Sequence, residues 1–324
     1  MRVAIIGGTE FIGRRIVECL VARGDDVMVV HRGRTEPDDL PPCEHVHVDR
    51  RDYSTVSARV DAWQPDRIVD SNALTAADTD AVLPYLPDVP IVVLSSMDVY
   101  RCFELLRLGG DDPLPVPFDE SAPLRANRYP YRGMDIGEDD YDKLDVEPEY
   151  LARGAAVLRL AMIYGPRDPQ TREDFVLRRV RAGRTRIPIG SAGTILTRLH
   201  VDDSAAVVLA ALDRPSAVAG EVFNIGESES YSMRGWMRLI LAAAGHEAEL
   251  VQVPDDSLPP DMRLTGTRSQ HFLATSAKAR TLLDWVPTET AAAVADSVRW
   301  HLAHPPTDGD VPDFAADDAA LAER

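Results

Sequence analysis

R-V-A-I-I-G-G-T-E-F-I-G, residues 2–13, is an apolar run that ends in two glycines and restarts at helical spacing. The first part reads as a short, buried parallel strand. Beyond the glycines, Phe11, Ile12, Ile16 and Leu20 recur on one helical face. D-V-M-V-V-H-R-G, residues 26–33, then reads as a second strand. Strand, glycine turn, helix and strand within about thirty residues make the first half of a dinucleotide-binding fold. Gly7 permits the tight turn and Gly13 lets the helix pack close to the sheet. The helix start, with Thr9, Glu10, Phe11 and Ile12 around it, presents free N–H groups to a pyrophosphate.

The composition suits such a fold. A chain of 324 residues is long enough for a nucleotide domain and a smaller lobe. Its apolar content of 45% is ordinary for a globular protein, and no apolar run is long enough to span a bilayer. The first strand enters a glycine turn, so it is read as core and not as a signal peptide. Cys19, Cys43 and Cys102 are odd in number and widely spaced. Neither a disulfide framework nor a metal site is expected from them, and a cytoplasmic location is. The net charge of −18 argues against a nucleic-acid partner, because that affinity rests on neutralising phosphates. Only Lys143 and Lys278 are lysines, so Lys143 is unlike the arginine-rich remainder of the positive charge.

An acidic residue at the end of the second strand binds the ribose 2′-OH of NAD, whereas arginine accommodates the 2′-phosphate of NADP. Here V-V-H-R-G-R places His31 at the acidic position, followed by Arg32 and Arg34. The cofactor is therefore expected to be NADP or NAD, with NADP favoured.

An ordered series of further segments resembles the extended short-chain dehydrogenase/reductases of the NAD-dependent epimerase/dehydratase family. R-I-V-D-S-N-A (67–73) is similar to the fourth strand, with Ser71, Asn72 and Ala73 at its cofactor-facing end. I-V-V-L-S-S-M-D-V-Y (91–100) matches the fifth strand and its S-S-x-x-V-Y signature, placing Leu94 and Ser95 beside the cofactor. P-F-D-E-S-A-P-L (117–124), V-L-R-L-A-M-I-Y-G-P-R-D (157–168), R-L-H-V-D-D-S-A-A (198–206), E-V-F-N-I-G (221–226) and L-L-D-W-V-P (282–287) follow in the family's order. The resemblance puts Ala161 and Ile163 at the cofactor, and Asp49 and Arg50 of D-R-R-D near the adenine. It covers roughly residues 1–300. One departure is Glu10, which replaces the central glycine of the family's G-x-x-G-x-x-G.

The implied architecture is α/β: a Rossmann-type doubly wound parallel sheet with a smaller, discontinuous C-terminal substrate lobe. Residues 1–167 and about 198–227 would form the nucleotide domain, and about 168–197 and 228–304 the lobe. Residues 305–324 read as a frayed acidic tail. The family also implies a homodimer.

The second departure concerns chemistry. The family carries Tyr-x-x-x-Lys on one helix, often with Glu four residues on, but this chain has Asp139, Lys143 and Glu147 in those places. Residues four apart share a helix face, so Asp139 and Lys143 are expected in one cleft. In the family the lysine holds the nicotinamide ribose and lowers the tyrosine pKa. Tyr141, two residues on and about 200° around a helix, is expected to face elsewhere. Tyr129 or Tyr131, in the preceding loop, could reach in instead. The resemblance gives Ser96 a hydrogen bond to the substrate oxygen and makes Asp98 a candidate acid. Met97 replaces the dehydratase partner carboxylate, which disfavours sugar dehydration. Arg263 lies where the family often holds a substrate phosphate.

Two function classes stay open. One is an NAD(P)-dependent epimerase or reductase acting on a nucleotide-sugar or another hydroxylated or carbonyl-bearing small molecule. The other is a non-catalytic NAD(P)-binding sensor or interaction protein. The G-G-T-x-F-I-G opening also resembles atypical epimerase-like RNA-binding proteins of chloroplasts, but the acidic balance argues against RNA.

Overall fold

A computed structural model describes residues 1–134, 139–306 and 313–322. Its strands are β1 (Arg2–Ile6), β2 (Asp26–His31), β3 (Glu44–His47), β4 (Arg67–Asp70), β5 (Ile91–Ser96) and β6 (Ala156–Leu160). They are followed by β7 (Met162–Tyr164), β8 (Arg186–Ile189), β9 (Arg198–His200), β10 (Val222–Ile225) and β11 (Glu249–Gln252). Seven strands make one sheet in the order β10-β6-β5-β4-β1-β2-β3, and every pairing in it is parallel. Strand order reverses between β1 and β4, and a reversal of this kind in an open α/β sheet opens a crevice at the strands' carboxyl ends.

Helices cover both faces of the sheet, so its strands read as nearly continuous apolar runs. The helix Phe11–Arg23 packs beside the helix Val201–Leu212, and Arg15 grips Asp202 across them at 2.7 Å. The first turn is possible only with glycine. Gly7 sits at φ +97°, and a Cβ on Gly13 would lie 2.7 Å from the Gly8 backbone.

A second core lies apart from the sheet and gathers Phe175, Ile187, Trp236, Ile240, Val251 and Val294. The pairs β8–β11 and β7–β9 are both parallel. The residues read as a frayed acidic tail include a helix, Ala315–Ala322, which docks on this second core through buried Ala320. Its Asp317 is buried and holds both Nε (2.8 Å) and Nη2 (2.6 Å) of Arg179. Acidic composition suggested a solvated end, but a buried arginine recruits one of these carboxylates as its partner.

Candidate active site

A cleft of about 540 Å³ opens at the carboxyl ends of β1, β2 and β4. It gathers twelve of the residues expected from the sequence: Gly7, Thr9, Glu10, Phe11, Ile12, Gly13, His31, Arg32, Asp49, Arg50, Ser71 and Asn72. The helix Phe11–Arg23 starts at Glu10 without a side-chain cap, leaving its first N–H groups available to an anion. Glu10 itself is exposed, so its carboxylate can turn away from the phosphate position.

Several residues of the expected set, inside the cleft lining or outside it, also hold contacts within the protein. The Ser95 hydroxyl donates to Glu147 at 2.6 Å, and Glu147 holds Arg159 at 2.7 Å, so this pair is spent inside the fold. The Arg50 guanidinium bonds Asp70 at 2.9 Å and is not a free anion ligand. His31 is buried, with Nε2 2.9 Å from His45 Nδ1 and Nδ1 accepting from the Gly33 N–H. Arg32 is exposed on the cleft wall and makes no ion pair among the described residues. Ala73 and Leu94 contribute carbonyls to Lys143, while Ala161 and Ile163 are buried at the end of β6 and in β7.

Beyond the cleft, a strap of residues 125–142 approaches the end of β5, though residues 135–138, including Glu138, lie outside the described residues. Its anchor is Asp142, which is fully buried. That carboxylate pairs with Arg125, takes Arg128 Nε at 2.6 Å and accepts the Tyr129 N–H at 3.0 Å. It also caps the helix Lys143–Ala152 by accepting from the Leu144 N–H at 2.9 Å. The Asp142 N–H donates to the carbonyl of Leu74, a cleft-lining residue, which fixes the strap at the end of the cleft.

This anchor overturns the helical count made from the sequence. Asp142 is an N-cap with extended backbone (φ −159°, ψ 109°), so the helix begins at Lys143 and residues 139–142 precede it. Asp139 lies in an exposed turn, where its Oδ1 accepts from the Gly133 N–H at 2.9 Å and its carbonyl from Arg132. It does not share a helix face with Lys143. Tyr141, expected to face elsewhere, turns inward.

The inward group centres on Asp98, which sits in the short turn Met97–Val99 directly after β5. Tyr141 and Tyr131 both donate to Asp98 Oδ2, at 2.8 Å and 3.1 Å. Asp98 Oδ1 is buried with no hydrogen-bond partner. Burial pushes this carboxyl above the usual aspartate range, although the two phenols, Arg125 and Lys143 oppose the shift. Burial and the nearby Asp98 charge push both phenols up, so they stay neutral donors. Ser96 Oγ accepts from the Asp98 N–H at 3.1 Å and lies beside the Tyr141 phenol. Accepting from Asp98 leaves the Ser96 hydroxyl proton to the Tyr141 oxygen beside it or to a substrate.

Lys143 is 5% exposed, and its ammonium donates to the carbonyls of Ala73 (2.5 Å) and Leu94 (3.0 Å). Burial lowers its pKa to about 8, with Asp98 and Asp70 resisting. Its Nζ lies 5.8 Å from the centre of the Tyr141 ring. Arg263 is exposed on the short helix Pro260–Thr265 of the second core. The strap's RYPYRG loop was the one sequence signal for Tyr131, while nothing in the spacing pointed to Tyr141.

A crevice at the strand ends with a glycine turn, a free helix start and an acid–phenol–lysine group defines an α/β protein with a candidate nucleotide cleft and a candidate reaction centre. Comparison with known proteins narrows this class. Residues 144–226 match the family model for the NAD dependent epimerase/dehydratase family. The chain is 26% identical to the chloroplast stem-loop binding protein of 41 kDa b from Arabidopsis thaliana, over 100% of this chain and 85% of that protein. It is 28% identical to a 3-diazoavenalumate denitrifying reductase from a Streptomyces species, over 89% of this chain and 96% of that protein. The UDP-glucose 4-epimerase of Bifidobacterium longum, solved with NAD+ and UDP, shares the fold at a TM-score of 0.69 and 20% identity. That superposition covers 94% of this chain and 99% of the other. The matched segment makes this part of the chain similar to the NAD dependent epimerase/dehydratase family, and the solved structure shares the fold.

Proposed function

We propose that this protein is an NAD(P)H-dependent reductase of a carbonyl-bearing or similarly electron-poor small molecule, with Asp98 and Tyr141 replacing the family's helix-borne tyrosine. The observation that carries this is the convergence of Tyr141 and Tyr131 on a buried, half-satisfied Asp98 beside Lys143. The cleft residues fit a dinucleotide: Gly7 and Gly13 let backbone approach, and the uncapped helix start suits a pyrophosphate. Bound there, the nicotinamide would supply the hydride. Arg32, exposed at the wall, suits the 2′-phosphate of NADP, and Lys143 suits a ribose hydroxyl once its contacts to the two carbonyls loosen.

In the reducing direction, the substrate oxygen sits between the Ser96 and Tyr141 hydroxyls. For reduction, the Tyr141 hydroxyl would turn from Asp98 to that oxygen and give up its proton, and a protonated Asp98 would return one to the phenolate. A carboxyl whose charged form is disfavoured by burial is suited to hold that proton above the usual aspartate range. Reduction requires only this donor. The Streptomyces relative, itself a reductase, is consistent with that direction. A second reading, epimerase, is supported by the family match, and it needs the same pair to take the proton back. Retention of a tightly held cofactor would favour it. The stem-loop binding relative raises RNA as a partner, but a net charge of −18 supports a small-molecule site instead.

The test is calorimetry with NADPH and NADH, followed by cofactor absorbance against a panel of ketones, aldehydes and nucleotide-sugars. Binding of NADPH with consumption on at least one carbonyl is expected. Failure to bind either nicotinamide would overturn the proposal.

A further inference from the structure

At the sheet edge, away from the Asp98 group, three imidazoles and a carboxylate meet. β2 and β3 run parallel with His31 opposite His47 and Val29 opposite His45. His45 and His47 are two apart on β3 and therefore share one sheet face, where His31 joins them from β2. Glu36 folds over them from the connection between the two strands. His31 Nε2 lies 2.9 Å from His45 Nδ1 and 3.6 Å from Glu36 Oε2. His45 Nδ1 lies 3.7 Å from Glu36 Oε1, and His47 Nε2 lies 3.0 Å from Glu36 Oε2. One donor atom from each residue lies within 4.8 Å of the other three.

These distances resemble those of a coordination shell. A tetrahedral ion with bonds of about 2.0–2.1 Å holds its ligand atoms about 3.3 Å apart. The separations of 2.9–3.7 Å quoted for four of the pairs straddle that value. Without an ion, the cluster is held by protons. His31 Nδ1 accepts from Gly33, so its Nε2 carries the proton directed at His45, and His47 Nε2 faces the Glu36 carboxylate. An entering cation displaces both protons, and the His31–Gly33 contact, long at 3.2 Å, gives way to the other tautomer. Cys43 Sγ lies 3.3 Å from His45 Nε2, an outer partner that orients the ring with Nδ1 toward the shared centre.

We propose that His31, His45, His47 and Glu36 bind one divalent transition-metal ion of the zinc class. Three imidazoles favour such an ion over magnesium or calcium, which prefer oxygen ligands. Four protein ligands close the shell, which makes the site structural: it fastens residues 32–43 to the edge of the sheet. The proposal stands apart from the reductase reading. Because His31 also lines the cleft, it is tested without nucleotide.

The experiment uses the untagged full chain, stripped with chelator and titrated with Zn²⁺ by calorimetry and with Co²⁺ by visible absorption. One ion per chain and an intense tetrahedral Co²⁺ band are expected. His47→Ala and Glu36→Gln, both at exposed positions where folding should survive, should each weaken Zn²⁺ by at least about tenfold. Circular dichroism checks that both variants are folded. His271→Ala, outside the cluster, should leave the affinity unchanged. Absence of stoichiometric binding, equal binding of Mg²⁺, or unchanged affinity in both folded cluster variants would overturn the assignment.

Discussion

At the glycine-rich end of the cleft the wall is mostly backbone, whereas at the Asp98 end it is made of side chains carried on a strap. The first end is set by regular elements: β1, a turn that only glycine fits, and the start of a thirteen-residue helix. The second depends on an irregular segment pinned by one buried carboxylate, Asp142, and the arginines Arg125 and Arg128. On the proposed function this contrast becomes a division of labour: the regular end holds a nucleotide and the pinned end moves a proton.

The largest effect should come from the proton group. Asp98→Asn should lower turnover by roughly 10²–10⁴-fold, the usual worth of a general acid, while NADPH affinity by calorimetry stays within about twofold. Tyr141→Phe should fall in the lower part of that range and Tyr131→Phe below it, because only Tyr141 also lies beside Ser96. A loss of cofactor affinity equal to the loss of turnover would mean that the two ends are one site.

The pH profile sharpens the same point. On the proposed mechanism, turnover requires Asp98 protonated and Lys143 charged. It should therefore fall as pH rises through the raised Asp98 pKa, and again near pH 8, where Lys143 deprotonates. Asp98→Asn should remove the first limb and leave the second. Lys143→Met should remove the second and weaken the cofactor by at least about tenfold, since that ammonium lies at the junction of the two ends.

How far the sequence could be read follows the same division. The strand–glycine–helix–strand signal rests on local patterns, apolar period and glycine placement, and these survive wherever the chain is regular. The ordered segments from 67 to 226 likewise located the parallel sheet and Ser96. The Tyr141 error has a physical cause. Counting 100° per residue assumes a helix already running at Asp139, but the Asp142 cap sets the phase only from Lys143. The count cannot reveal where a helix starts when D-D-Y-D offers several acidic N-caps in a row. The histidine trio was hidden because H-V-H marks a strand edge locally, and its partners His31 and Glu36 arrive only through sheet register. The docked C-terminal helix was hidden in the same way, since its partner Arg179 lies far away in sequence.

A smaller effect is expected at the nucleotide end. Arg32 is exposed on the cleft wall without an ion-pair partner among the described residues, so its charge is available to a 2′-phosphate. Arg32→Asp should shift the NADP:NAD affinity ratio toward NAD by about tenfold, the equivalent of about 1.4 kcal/mol, with turnover at saturating cofactor unchanged. His31 should contribute little to the preference, because both its ring nitrogens are already engaged. An unchanged ratio in the Arg32 variant would move phosphate recognition elsewhere on the wall.

The smallest effect should fall on the residue that the sequence placed at the centre. Asp139 stands where the sequence resemblance places a tyrosine, and spacing alone makes it either the replacement base or the partner of Lys143. The structure gives it neither contact: its carboxylate is exposed and accepts the Gly133 N–H, while the Lys143 ammonium donates to two backbone carbonyls. Removing one exposed acceptor costs little, since water replaces it. Asp139→Asn should therefore change turnover and cofactor affinity by less than about twofold. Asp139→Tyr should not raise activity, because a phenol at 139 precedes the helix and does not share its face with Lys143. Steady-state kinetics on both variants, with the same carbonyl substrate used for Asp98→Asn, makes the comparison direct. A hundredfold loss in Asp139→Asn would place the proton-transfer group on the outer turn of the strap and leave the Asp98–Tyr141 pair as scaffolding.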